Sequence, residues 1–132
     1  MILVDSSAWV EFDRATGSRV DSRLTELIAT TDEVAVTEPV IMEVLAGAQD
    51  DRRERDLRRL LRRFGLLRFD AAIDFDAATR IYRTCRRAGV APRGITDCMI
   101  AAVALRHGAR LLAADTDLDR VAEVMGITLE AP

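Results

Sequence analysis

ITDCMIAAVALRHGARLLAAD, from Ile95 to Asp115, compresses a helix, a stop and a strand into one run. Ile95 to about His107 is apolar enough to be a buried helix, Gly108 caps it, and Arg110–Ala113 reads as a buried strand. Asp117–Met125 then returns to helical spacing. Within this apolar frame Asp97 is out of place, because a carboxylate stripped of water costs several kcal/mol unless it is paired or holds a metal. Asp97 needs a partner.

Upstream, the same alternation repeats. ILVD, residues 2–5, is an apolar run ending in a polar turn and reads as a buried strand, with Ser6 and Ser7 as N-caps of a short helix over Ala8–Phe12. Val20, Leu24, Leu27 and Ile28 share one helical face, and Val34–Val36 is the next strand. TEPVIMEVLAG, residues 37–47, is a helix capped by Thr37 or Glu38, with Pro39 in its first turn and Gly47 near its end. Leu57, Leu60, Leu61 and Phe64 predict a helix stopped by Gly65, and Leu66–Phe69 a brief strand. Ala77, Ala78, Ile81, Tyr82, Cys85 and Ala88 line a long helix that ends at Gly89, and Ile127–Leu129 is a last strand. Every connection is too long for a hairpin, so the class is α/β, a central parallel sheet of four to five strands with helices on both faces.

The 132 residues fit one domain, 1–132, around one core. No apolar run approaches the roughly 18 residues that cross a bilayer, and MILVDSS lacks the build of a signal peptide, so a soluble cytoplasmic protein with no membrane partner is expected. Cys85 and Cys98 sit in helical patterns without metal-ligand spacing and read as reduced core residues.

In open parallel sheets, ligands bind beyond the carboxyl ends of the strands. Asp5 closes ILVD and Asp115 closes RLLAA, while Glu43 interrupts VIMEVL and Asp97 interrupts ITDCMIAA. Each has a bland explanation. Asp5 and Asp115 are good helix caps, and Glu43 and Asp97, in the first turns of their helices, complement the dipole. Taken together the four point further. Converging carboxylates raise one another's pKa, and a divalent cation reverses that preference. Oxygen donors select Mg²⁺ or Mn²⁺, and a carboxylate site for such an ion suits cleavage of a phosphodiester.

Other chemistries lack their parts. The one histidine, His107, lies at a helix end where it caps carbonyls, which excludes a mechanism of paired histidines. Neither GxxxxGK[ST] nor GxGxxG occurs. All 19 basic residues are arginine, which counts against acidic-pocket folds that rely on a lysine, and Ser6 and Ser7 have no positioned base.

The succession MILVDSSAW, TEPVIMEVLAG and GITDCMIAAVALRHGARLLAADTDLD resembles the PIN-domain ribonucleases, and the length is similar to that of VapC toxins of bacterial toxin–antitoxin pairs. The resemblance spans essentially the whole chain. It implies a PIN-like fold and a metal-dependent endoribonuclease with Asp5, Glu43, Asp97 and Asp115 as catalytic and metal-binding acids. Asp117 is implied as an auxiliary metal ligand, and Ser6 or Ser7 as the small polar residue beside Asp5. It further implies Mg²⁺ or Mn²⁺ as cofactor, RNA as substrate, a homodimer, and a cognate antitoxin whose tail covers the acidic groove. Two positions depart from the family pattern: Ala113 replaces a hydroxyl residue, which loosens a hydrogen bond behind the metal site, and Leu118 replaces a phenylalanine in the core.

From Arg52 to Arg93 there are thirteen arginines against five acids. An acidic pocket repels RNA, so phosphate-binding residues must lie outside it, at Arg52–Arg63 or Arg80–Arg93; pairing with Glu54, Asp56 and Asp76 is the bland alternative. Two further readings of the acids are a PIN-like module that binds RNA or an antitoxin without cutting, and a metal-dependent phosphatase of small esters.

Overall fold

Ile2, Leu3 and Val4 are wholly buried, as are Ala35 and its neighbours Val34 and Val36. Successive strand side chains point to opposite faces, so burial of all of them means that both faces of the sheet are covered. The computed structural model describes residues 1–132. Its order is β1 (Ile2–Val4), α1 (Ser6–Asp13), α2 (Arg19–Thr30), β2 (Val34–Val36), α3 (Glu38–Ala46), α4 (Asp51–Leu61), β3 (Gly65–Leu66), α5 (Asp74–Arg87), α6 (Ile95–His107), β4 (Arg110–Leu112) and α7 (Thr116–Met125).

The sheet is parallel throughout, in the order β3-β2-β1-β4. Ile2 stands between Val34 and Arg110, and Val4 opposite Leu112. The chain runs outward from β1 through β2 to β3, then crosses back to place β4 on the other side of β1. The β1/β4 boundary is therefore the switch point, where the connections diverge and leave a crevice at the strands' carboxyl ends. Asp5 follows β1 directly and Asp115 lies just past β4.

Between the helices and the sheet lies one apolar cluster. Trp9 anchors it from α1, with its ring 5.0 Å from that of Phe64 and edge-on to Phe12. Val20, Leu24 and Leu27 of α2 fill the next layer, and Leu118 is completely buried. Cys85 and Cys98 are buried free thiols. Helix α6 is buried over Ile100–Ala104 and is the central helix of the fold.

Several local expectations change. Asp5, not Ser6 or Ser7, caps α1, because its extended backbone lets the carboxylate accept from Ser7 N–H at 3.1 Å. The segment expected as strand over Leu66–Phe69 pairs only at Gly65–Leu66. Leu67 N–H still reaches the carbonyl of Val36 at 2.8 Å, but there β2 gives way to α3, and the Phe69 N–H is taken by the Glu38 carboxylate at 2.8 Å. Gly65 belongs to β3 and does not stop α4, which ends at Leu61. The expected last strand reduces to one bridge, Leu129 to Leu111, since only Leu111 exchanges backbone bonds with Thr128 and Glu130. Glu130 is then pinned by Arg23 and Arg110.

Gly108 ends α6 in the left-handed region at φ 62°, with its N–H on Leu105 and that of Ala109 on Ala104. His107 caps no carbonyl of its own helix; its Nε2 lies 3.4 Å from the carbonyl of Arg68 in the loop between β3 and α5. No helix is long and apolar enough to cross a membrane.

Candidate active site

Three helices begin at the switch-point crevice: α1 behind Asp5, α6 with Asp97 in its first turn, and α7 behind Asp115. Glu43 comes from α3, in its second turn rather than its first, so the dipole explanation does not apply to it. The crevice encloses about 580 Å³, and Asp5, Glu43, Asp97 and Asp115 all line it. Side chains 110 residues apart in sequence (Asp5 and Asp115) share one wall because β1 and β4 are hydrogen-bonded neighbours.

The capping explanation holds for two of the acids and is incomplete. Asp115 Oδ1 accepts from Asp117 N–H at 2.8 Å. Asp5 Oδ2 accepts from Ser7 N–H at 3.1 Å and from Ser7 Oγ at 2.6 Å, yet Asp5 Oδ1 is buried with no partner. Asp97 Oδ2 is buried and unpartnered as well. A buried acceptor without a donor costs about 1–3 kcal/mol, more when charged, so two in one pocket mark a place where something is missing from the protein's own bonding.

The electrostatics agree. Burial pushes the Asp97 carboxyl up to about 7, and Asp5, Asp115, Glu43 and Asp117 add repulsion. Burial also raises Asp5 against the opposing hydrogen bonds of Ser7, with Asp115 adding to the rise. Glu43 is raised by burial and by Asp5 and Asp115, and lowered by the Ser6 hydroxyl that donates to its Oε1 at 3.0 Å. The acids therefore feel one another across the crevice. No three of them close by themselves around an ion. Mg²⁺ seldom asks for such a cage, since it keeps several waters and shares its shell between one or two carboxylates and substrate oxygens. Anionic oxygens with buried lone pairs fit a hard divalent cation.

Ser6 and Ser7 divide their work. Ser6 holds Glu43, while Ser7 Oγ donates to Asp5 and accepts from Ala114 N–H at 2.9 Å, tying α1 to the end of β4. That hydroxyl bridges the two strand ends beside Ala113, which is largely buried. Asp117 does not line the crevice, although its charge reaches Asp97.

Other residues line the crevice that the sequence did not place there, although Arg93 ends a stretch it marked as phosphate-binding. Glu11 and Arg14 lie four and seven residues beyond Ser7, on the helix face that also carries Val10, so helical periodicity run forward from Ser7 finds them. Arg93, Gly94 and Thr96 arrive from the loop before α6 and its first turn, where no side chain caps the helix. Asp119 is raised by burial and then by Asp115, Glu123 and Asp5.

A protein-family model described as the PIN domain matches residues 2–124. Ribonuclease VapC11 of Mycobacterium tuberculosis is 47% identical over 128 residues, covering 96% of each chain. Among solved structures, VapBC2 from Rickettsia felis, bound to a fragment of its promoter DNA, superposes with a TM-score of 0.76 at 17% identity over 98% of each chain. Mycobacterium tuberculosis VapC20, described as a sarcin-ricin loop cleaving toxin, gives 0.71 at 19% over 100% of each.

Proposed function

Because the chain belongs to the PIN-domain family, we propose that its acidic crevice is the centre of a VapC-type endoribonuclease, the toxin of a toxin–antitoxin pair. The observation that carries the reading is the pair of buried, unpartnered carboxylate oxygens, Asp5 Oδ1 and Asp97 Oδ2, in residues that line one crevice at the switch point.

In this reading Asp5, Asp97 and Asp115 would share Mg²⁺ or Mn²⁺ without all three closing on it directly, with Glu43 completing the acidic wall and Asp117 adding charge from outside it. The ion, when bound, lowers the pKa of water and neutralises charge building on the scissile phosphate. The protein's own groups do the rest. Ser7 fixes the rotamer of Asp5, so that one oxygen caps α1 and the other is aimed elsewhere. Ser6 holds Glu43 Oε1 and leaves Oε2 free to accept a proton. The uncapped first turn of α6 presents backbone N–H groups and the positive end of its dipole to an incoming phosphate. A single PIN domain, residues 1–132, carries these parts, and a cognate antitoxin and a second copy of the chain are its partners. Solved relatives include VapBC assemblies, which supports the antitoxin.

Cleavage of a structured RNA with Mg²⁺ or Mn²⁺ tests the assignment. Wild type should cut, a chelator should abolish cutting, and Asp97→Asn should lower kcat at least 100-fold. Activity that survives the chelator, or that is equal in the variant, would refute it. Binding without cutting by the wild type would favour the non-cleaving module.

A further inference from the structure

The arginine-rich middle separates into two helices of different character. Between residues 51 and 63, seven arginines alternate with three acids. There Arg58 pairs with Glu54 and Arg53 reaches Asp13 on α1, and the other five, without ion pairs of their own, still share their segment with Asp51, Glu54 and Asp56. Between Arg80 and Arg93, five arginines occur with no acid at all. Arg80 pairs back to Asp76, but Arg83, Arg86 and Arg87 are exposed and form no ion pair.

These three lie at i, i+3 and i+4, on one face, and they alone line a shallow concavity beside α5. Like charges at this spacing repel. The negative end of the helix dipole offsets part of that, which would account for one or two cations at this helix end but not for a face without a single counter-charge. Arg87 Nε donates to the carbonyl of Arg83 at 3.3 Å, and the Arg86 guanidinium sits 6.0 Å from the Tyr82 ring centroid. Both contacts orient the forks, and no hydrogen bond engages their terminal nitrogens.

Beyond α5 the chain leads to Arg93, which lines the acidic crevice and has no ion pair although five carboxylates share that lining. Arg93 lies six positions after Arg87, so the path between them is at most roughly 20 Å. A polyanion entering a carboxylate pocket needs cations on its flanks, and the guanidinium fork matches a phosphate's oxygens two at a time.

We infer that Arg83, Arg86, Arg87 and Arg93 form a track for the phosphate backbone of RNA, running from the C-terminal end of α5 into the acidic crevice. This rests on the nuclease reading for the identity of the polyanion. The α5 face, and not the more arginine-rich α4 face, carries substrate flanking the cut.

The test measures binding of an RNA hairpin by fluorescence anisotropy in EDTA, from about 50 to 200 mM salt, in an Asp97→Asn background. One protein carries Arg83→Gln, Arg86→Gln and Arg87→Gln; a charge-matched control carries Arg55→Gln, Arg59→Gln and Arg62→Gln on α4. Each phosphate contact contributes about 0.7–0.9 to the slope of log K against log salt, so the α5 triple variant should lose about 2 and the control less than 1. Replacement of the same α5 residues by Lys should keep most of the slope. An unchanged slope in the α5 variant, or an equal loss in the control, overturns the track. A wild type that shows this slope yet cuts nothing with Mn²⁺ would contradict the nuclease reading and leave the track standing.

Discussion

Asp97 is the residue on which the site turns. Its carboxyl, pushed up to about 7, keeps a proton in the folded chain across the window from its ordinary 3.8 to about 7, where the unfolded chain has lost it. Stability of the metal-free protein therefore falls as pH rises through that window and levels off above it. Asp97→Asn removes the effect, and after allowing for partial solvent access it should stabilise by about 1–2 kcal/mol at pH 8 and by less at pH 5. Thermal melts at the two pH values check this; equal destabilisation at both would contradict it. Ser7→Ala leaves Asp5 Oδ2 with a single donor and the Ala114 N–H without an acceptor. Mn²⁺ affinity should drop 10- to 100-fold by calorimetry, as is usual when a group orienting a ligand is lost. The sequence made Asp97 legible, as a charge in an apolar helix. It did not show that Ser7 joins Asp5 to Ala114, since that contact depends on β1 and β4 being adjacent.

At the scale of elements, α6 is positioned by a buried pair. Asp74, at the start of α5, is wholly buried and takes Arg106 Nε at 3.0 Å and Nη2 at 2.7 Å, while the same Nη2 reaches the Arg68 carbonyl at 2.6 Å. Burial works against the Asp74 carboxylate, but the Arg106 fork and the Asp70 N–H outweigh it and hold it below the usual range. Its contribution is present above pH about 4 and is lost as pH falls through the depressed value. Arg106→Ala strands the carboxylate, and chemical denaturation should show a loss of about 3 kcal/mol at neutral pH that shrinks in acid. Asp74→Asn together with Arg106→Gln should recover much of it. Periodicity and stop residues made the helices legible, Gly108 above all. Two strand expectations failed at their ends because Glu38 took the Phe69 N–H and because Leu111 alone meets the tail. Those are long-range partners, absent from any local pattern.

Across the whole molecule, charge is sorted by position. Acids from four elements meet at the switch point, and the acid-free run of arginines from Arg83 to Arg93 leads along α5 and the loop after it to the crevice. Strand ends and alternation made the convergence of Asp5, Asp97, Asp115 and Glu43 foreseeable. Arg14 and Arg93 were not singled out as crevice residues, since a helix end and a loop carry no periodic signal of direction. A site built from mutual repulsion destabilises the empty protein and should be repaid on loading: at Mn²⁺ 100 times its Kd, stability should rise by about 2.7 kcal/mol, visible as a higher Tm. The decisive measurement is a calorimetric titration of Mn²⁺ into wild type and Asp97→Asn near neutral pH. A saturable isotherm with proton release in the wild type, weakened at least tenfold in the variant, is the expected result. Absence of binding, or superimposable isotherms, would mean that the crevice acids hold no cation.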